Sequence, residues 1–154
     1  MEYIMGSKQV EYIMDNLSEI GKVIQGYLTT SQEISDSFNQ FIEFIQLNEE
    51  EIFVDSNIDR QELRKRIKVI KIAIKQSDES ARDSRILISG LGRMKNIRDG
   101  IRDCDAEIEI KDFMKILRKF RKKWQGKHNE AIQSACEVVK ITSLEQNKNG
   151  YHDG

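Results

Sequence analysis

Apolar side chains recur along this chain in a strict alternation of three and four residues, sustained in three separate runs, and few folds accommodate that spacing. In the first run the positions are Val10, Ile13, Leu17, Ile20, Ile24, Tyr27, Ser31, Ile34, Phe38, Phe41 and Ile45, and only Ser31 among them is not apolar. A mean period of about 3.5 residues puts these side chains on one stripe of an α-helix, the seam along which helices pack in coiled coils and bundles. A strand, with its period of two, would scatter them over both faces. The second run reads Leu63, Ile67, Ile70, Ile74, Ser77, Ala81, Ser84, Ile88 and Leu91, then slips in phase to Met94, Ile97 and Ile101. Such a slip is a stutter or stammer, a local change of winding inside a continuing helix. The third reads Ile110, Phe113, Leu117, Phe120, Trp124, Lys127, Ala131, Ser134, Val138 and Ile141.

The punctuation between the runs agrees with three helices. Ser7 is a candidate N-cap for the first. That run decays in Asn48-Glu49-Glu50-Glu51, and Asp55-Ser56-Asn57 forms a turn cluster. Asp59 with Glu62 three residues later reads as a capping box for the second helix. Gly90, Gly92 and Gly100 each weaken that helix where the site is helical, by up to ~1 kcal/mol apiece. Asp103 or Asp105 can cap the third, whose spacing runs on across Trp124-Gln125-Gly126. The sequence contains no proline, the residue a long helix interior does not tolerate.

These observations predict an all-α fold: an elongated antiparallel three-helix bundle or coiled coil, each run being about 40 residues and about 60 Å long. A kink or break of the third helix near Gly126, giving four helices, is the alternative. Residues 7–143 are expected to form one bundle domain and 144–154, rich in Asn, Gly and Lys, a flexible tail. Folding the runs back on one another brings the small stretches 29–31 and 77–84 level with Trp124 to Lys127. An indole fills such a waist, so Trp124 is expected to be mostly buried.

Charge is segregated beneath a near-zero total. Residues 1–62 carry 13 acidic and 3 basic side chains, whereas residues 63–127 carry 20 basic and 9 acidic. Either the acidic first helix pairs with the basic second and third, or a charged partner is present; internal pairing is the simpler expectation. No stretch approaches the roughly 18 uncharged apolar residues of a membrane span, so a membrane partner is not expected. No basic segment followed by a continuous apolar core opens the chain, so no secretory leader is expected. Cys104 and Cys136 match no metal-ligand spacing and make no disulfide framework, which points to a reducing cytoplasm and to buried or half-buried thiols. No phosphate-binding glycine loop or His-Glu-x-x-His pattern occurs, and no cofactor or metal is expected.

Two basic segments are the candidate binding residues: Lys115, Arg118, Lys119, Arg121, Lys122 and Lys123 on the third run, and Arg64, Lys68, Lys71 and Lys75 on the second. Interleaved with seam residues, they form basic amphipathic helices, which bind phosphates, anionic surfaces or acidic proteins unless they are only the solvated backs of the core. Arg121 and His128 stand in an Arg-x6-His spacing that resembles the motif of the HEPN family of helical ribonucleases and toxins. That resemblance implies RNA cleavage with these two as catalytic candidates; Lys122 and Glu130 depart from the pattern. Trp124-Gln125-Gly126 resembles the Trp-x-Gly of the WXG family of small helical proteins exported by type VII secretion.

The reading that follows is a non-enzymatic helical interaction module, an adaptor or assembly subunit acting through protein–protein contacts and able to self-associate. Its alternatives are an RNA-directed protein using the basic faces, or a HEPN-like ribonuclease among them, and a WXG-like secretion-associated partner.

Overall fold

A computed structural model describes residues 8, 11–55, 59–100 and 106–152. Helical residues 11–15 lead into α1 (Leu17–Leu47), followed by α2 (Glu49–Asp55), α3 (Arg60–Arg98), α4 (Ala106–Lys123), a π-helical turn (Trp124–His128) and α5 (Asn129–His152). No strand occurs among the described residues, and the fold is all-α.

Every described position of the first two seams, from Ile13 to Ile45 and from Leu63 to Ile97, is buried or half-buried. So are the third seam's positions up to Trp124. The stripes are wider than a two-helix seam, because Leu28, Ser35, Ile42, Ala73, Ser80, Leu87 and Met114 beside them are buried too. A broad stripe is what a helix needs when it faces more than one neighbour. At roughly 1.5–3 kcal/mol for each buried Leu, Ile or Phe, these stripes outweigh any surface contribution to folding.

The packing divides the chain into two compact units. The first comprises the chain up to Thr30 together with Ser80–Lys123. Its core gathers Ile13, Leu17 and Ile24, Leu87, Leu91 and Met94 of α3, and Ile110, Phe113, Met114 and Phe120 of α4. Tyr27 meets Phe120 edge to face with ring centroids 5.5 Å apart. The α3 backbone at Gly90 comes so near Phe113 that an added Cβ would stand 2.7 Å from its ring. Lys123 Nζ lies 3.7 Å from Asp83 Oδ2, which with the Gly90–Phe113 approach makes α3 and α4 antiparallel in this unit. The end of α3 is closed by Gly100, whose φ of 69° is the left-handed conformation of a C-terminal cap.

The second unit comprises Ser31–Glu79 and the chain from Trp124. One core cluster joins Phe38 and Ile42, Ile70 and Ala73, and Ala135; another joins Ile45, Ile52 and Leu63. Ser35 Oγ donates to Asp78 Oδ1 at 2.7 Å, which with the Ile45–Leu63 cluster makes α1 and α3 antiparallel. The expected capping box is half realised: the Glu62 N–H donates to Asp59 Oδ1 at 2.7 Å, while the Glu62 carboxylate turns to Arg66.

Several expectations are corrected. The first run does not decay at 48–51, because the Asn48 N–H donates to Phe44 O and the Ile52 N–H to Asn48 O, and Ile52 continues the heptad from Ile45 into the core. The third seam does not run straight on. Gly126 has non-helical torsions (φ −102°, ψ −105°) inside the π-helical turn, so the third stretch is kinked there, as the alternative reading expected. A π-helical turn takes up one extra residue. The buried set accordingly moves from Lys127, Ser134 and Ile141, all exposed, to His128, Ala135 and Thr142, all buried. Trp124 is largely buried, in keeping with the expectation, but the ring fully enclosed is the imidazole of His128. Cys136 is an exposed free thiol, not a buried one. The last helix runs to His152, so residue 143 marks no helix end. Ser7, Cys104, Asp103 and Asp105 lie outside the described residues.

Candidate interaction surface

The core face of α3 determines where its charges go. With Leu63, Ile67, Ile70 and Ile74 turned inward, Arg64, Lys68, Lys71 and Lys75 fall at i, i+4, i+7 and i+11 on another face, and all four are exposed. That spacing makes a single stripe about 16 Å long. On α4, Phe113, Leu117 and Phe120 take the inner face, and Lys115, Arg118 and Lys122 form a second exposed stripe, with Lys119, Arg121 and Lys123 beside it. The two stripes belong to different units, α3's to the second and α4's to the first.

Of these ten cations, only Lys123 makes an ion pair among the described residues, with Asp83. Among the described residues the carboxylates of α1 make no ion pair with another helix either. Glu33, Asp36 and Glu43 are exposed, and the described α1 ion pair is the local Glu19–Lys22 contact of 3.5 Å. Close pairing between the acidic first helix and the basic helices, the simpler expectation for the charge segregation, is therefore not found among the described residues.

Arg66 shows what an engaged cation looks like here. Its side chain is 12% exposed. Its guanidinium donates to Glu145 Oε2 at 2.8 Å and Oε1 at 3.2 Å, to Thr142 Oγ1 at 3.0 Å and to Glu62 Oε1 at 3.3 Å. The bidentate Glu145 contact holds its pKa above the ordinary arginine value, against the opposing effect of burial. The clamp joins α3 to α5, and sequence reasoning missed it because it placed Glu145 in the flexible tail. Its signal was Arg66 beside the seam residue Ile67, flanking the core.

Arg121 is exposed at the end of α4, whereas His128 is 1% exposed in the second unit. His128 Nε2 lies 3.7 Å from Glu79 Oε2, and its ring stands edge-on to Trp124 with centroids 6.1 Å apart. That distance is too long for a hydrogen bond and describes a charge contact only when the imidazole is protonated. In the first unit an open groove of about 470 Å³ runs between α1 and α3 over Leu17, Gly21, Ile88, Leu91 and Gly92, with Lys22 and Lys95 at its sides. Among the described residues no group of three or more His, Cys, Asp or Glu side chains is placed to hold a metal ion. No helix of the described residues is long and apolar enough to cross a membrane.

Comparison with protein-family models, with curated proteins and with solved structures finds no match to this chain.

Proposed function

We propose that this chain is a non-enzymatic helical interaction module, an adaptor or assembly subunit of the cytoplasm, that engages other polypeptides through its cationic stripes. In this reading the helices form an antiparallel three-helix bundle of coiled-coil character, kinked at Gly126. The observation that carries it is the exposure of Arg64, Lys68, Lys71 and Lys75 at regular helical spacing with no close carboxylate among the described residues. A charge array that the fold does not consume is free to recognise a partner, and complementary charge steers association and fixes register. The test is capture from an extract of the native host, with wild type beside a variant in which the four are replaced by Gln. Polypeptides retained by the wild type and lost from the variant support the module; identical captured sets contradict it.

The same exposed stripes favour a second reading, an RNA-directed protein. Its phosphate contacts give an affinity that falls steeply with salt, roughly one counterion released for each cation engaged. Anisotropy titrations of an RNA oligonucleotide against the wild type and the Gln variant read this directly. Its HEPN-like form needs RNA cleavage that His128→Ala abolishes, from an imidazole that is buried here. A WXG-like role draws on the non-helical backbone at Gly126, within Trp124-Gln125-Gly126. Export from the host that survives Trp124→Ala contradicts it.

A further inference from the structure

The second unit carries both members of a complementary pair of surfaces. From Val23 to Asp59 the chain has no Lys or Arg, and from Arg60 to Lys75 it has seven and a single carboxylate, Glu62. Glu33, Asp36 and Glu43 occupy one exposed face of α1, at i, i+3 and i+10, while Arg64, Lys68, Lys71 and Lys75 occupy one exposed face of α3. The acidic face runs about 15 Å and the basic one about 16 Å at the helical rise. Within the unit the two helices are neighbours and antiparallel, and yet no carboxylate of α1 lies within 4.0 Å of a cation on another helix among the described residues. Each face also presents apolar surface: Ile72, 48% exposed, follows Lys71 on α3, and Leu47, 85% exposed, stands four residues after Glu43 on α1. Apolar contacts ringed by charge are the usual anatomy of a protein interface.

We infer that the cationic stripe of α3 docks the acidic face of α1 of a second copy of this chain, the two matching in sign and length. The inference rests on the interaction-module reading and names one partner for it. Because both faces belong to one chain, every copy is at once donor and acceptor of the contact, and its near-zero net charge leaves no long-range repulsion to oppose assembly. The contact is electrostatic and exposed, so it weakens as the screening length shortens with salt.

The test is sedimentation of the full chain at about 50 and about 500 mM NaCl, with helix content followed by circular dichroism. The wild type is expected to exceed monomer mass at low salt, with its association constant falling at least ~10-fold at high salt. A basic-stripe variant (Arg64→Glu, Lys68→Glu, Lys71→Glu, Lys75→Glu) and an acidic-face variant (Glu33→Lys, Asp36→Lys, Glu43→Lys) are each expected to be monomeric alone. Mixed together, they are expected to associate, since the unaltered acidic face of one meets the unaltered basic stripe of the other. If a reversal variant loses its helix content, the corresponding Gln replacements take its place, with weakened association of the wild-type kind as the expected result. A monomeric wild type at low salt, a mass indifferent to salt, or a mixture that stays monomeric overturns the inference. A wild type that is monomeric alone and shifts only with added RNA oligonucleotide overturns it in favour of nucleic acid. Stripe-dependent capture of host polypeptides by a monomeric wild type overturns self-docking and leaves the module reading standing, while loss of both results removes both.

Discussion

At the scale of single residues, the glycines of α3 separate packing from propensity. An added Cβ at Gly90 would stand 2.7 Å from Phe113 Cδ2, a ring only 3% exposed in the core, whereas at Gly92 it meets nothing within 4 Å. Gly90→Ala gains up to ~1 kcal/mol of helix propensity but forces a core ring to move, at ~1–3 kcal/mol, so a net loss is expected. Gly92→Ala keeps the gain alone and is expected to stabilise by ~0.5–1 kcal/mol. Urea unfolding of both variants reads the two signs side by side. Ser77 offers a second residue-scale case. Its hydroxyl is fully buried and makes no hydrogen bond among the described residues. Ser77→Ala removes an uncompensated polar group and raises helix propensity, so unfolding midpoints should rise by ~0.5–2 kcal/mol in stability, and a fall would mean that the hydroxyl is satisfied. The serines at seam positions were legible as small side chains inside the stripe, but which glycine touches a ring was not, because that depends on the register of two helices.

At the scale of elements, the heptad spacing carried most of the fold. It located the buried face of α1, α3 and α4 position by position, since a stripe of that period has one way to leave water. The Asp59 cap was equally readable, because an Asn, Asp, Ser or Thr followed three residues later by Glu satisfies an orphan amide locally. Asp59→Ala removes the bond from the Glu62 N–H and should cost ~0.5–2 kcal/mol in thermal or denaturant unfolding, with Asp59→Ser restoring most of it. A null effect would mean that the helix start is held elsewhere. The phase of α5 was not readable. Gly126 leaves helical torsions within a π-helical turn, and one extra residue there exchanges Lys127 for His128 at the core face. Periodicity alone does not reveal such an insertion, since Ala131 and Val138 are half-buried in either phase. The helical run from Glu49 to Asp55 was missed for a different reason: three consecutive Glu residues look like a turn until Ile52 is seen to continue the seam.

At the scale of the whole chain, segregated charge was plain in the sequence, but its use was not. Composition allowed the acidic first helix to neutralise its neighbours, and long-range attraction of that kind needs no contact; what the structure adds is the absence of close pairs between α1 and the basic stripes among the described residues. All ten candidate cations lie on exposed helix faces, and Arg66, two residues from Arg64, is instead clamped to Glu145, a partner that no spacing in the sequence foretold. The central claim is that the α3 stripe serves association and not folding. Thermal unfolding of the variant Arg64→Gln, Lys68→Gln, Lys71→Gln, Lys75→Gln, followed by circular dichroism at a protein concentration where the wild type is monomeric, tests it most directly. Four pairs inside the fold at up to ~1 kcal/mol each would together lower the midpoint by roughly 8–16 °C in a chain of this size. Exposed, unengaged cations predict a change smaller than about 3 °C, and a fall of more than about 8 °C would show that the stripe holds the molecule together.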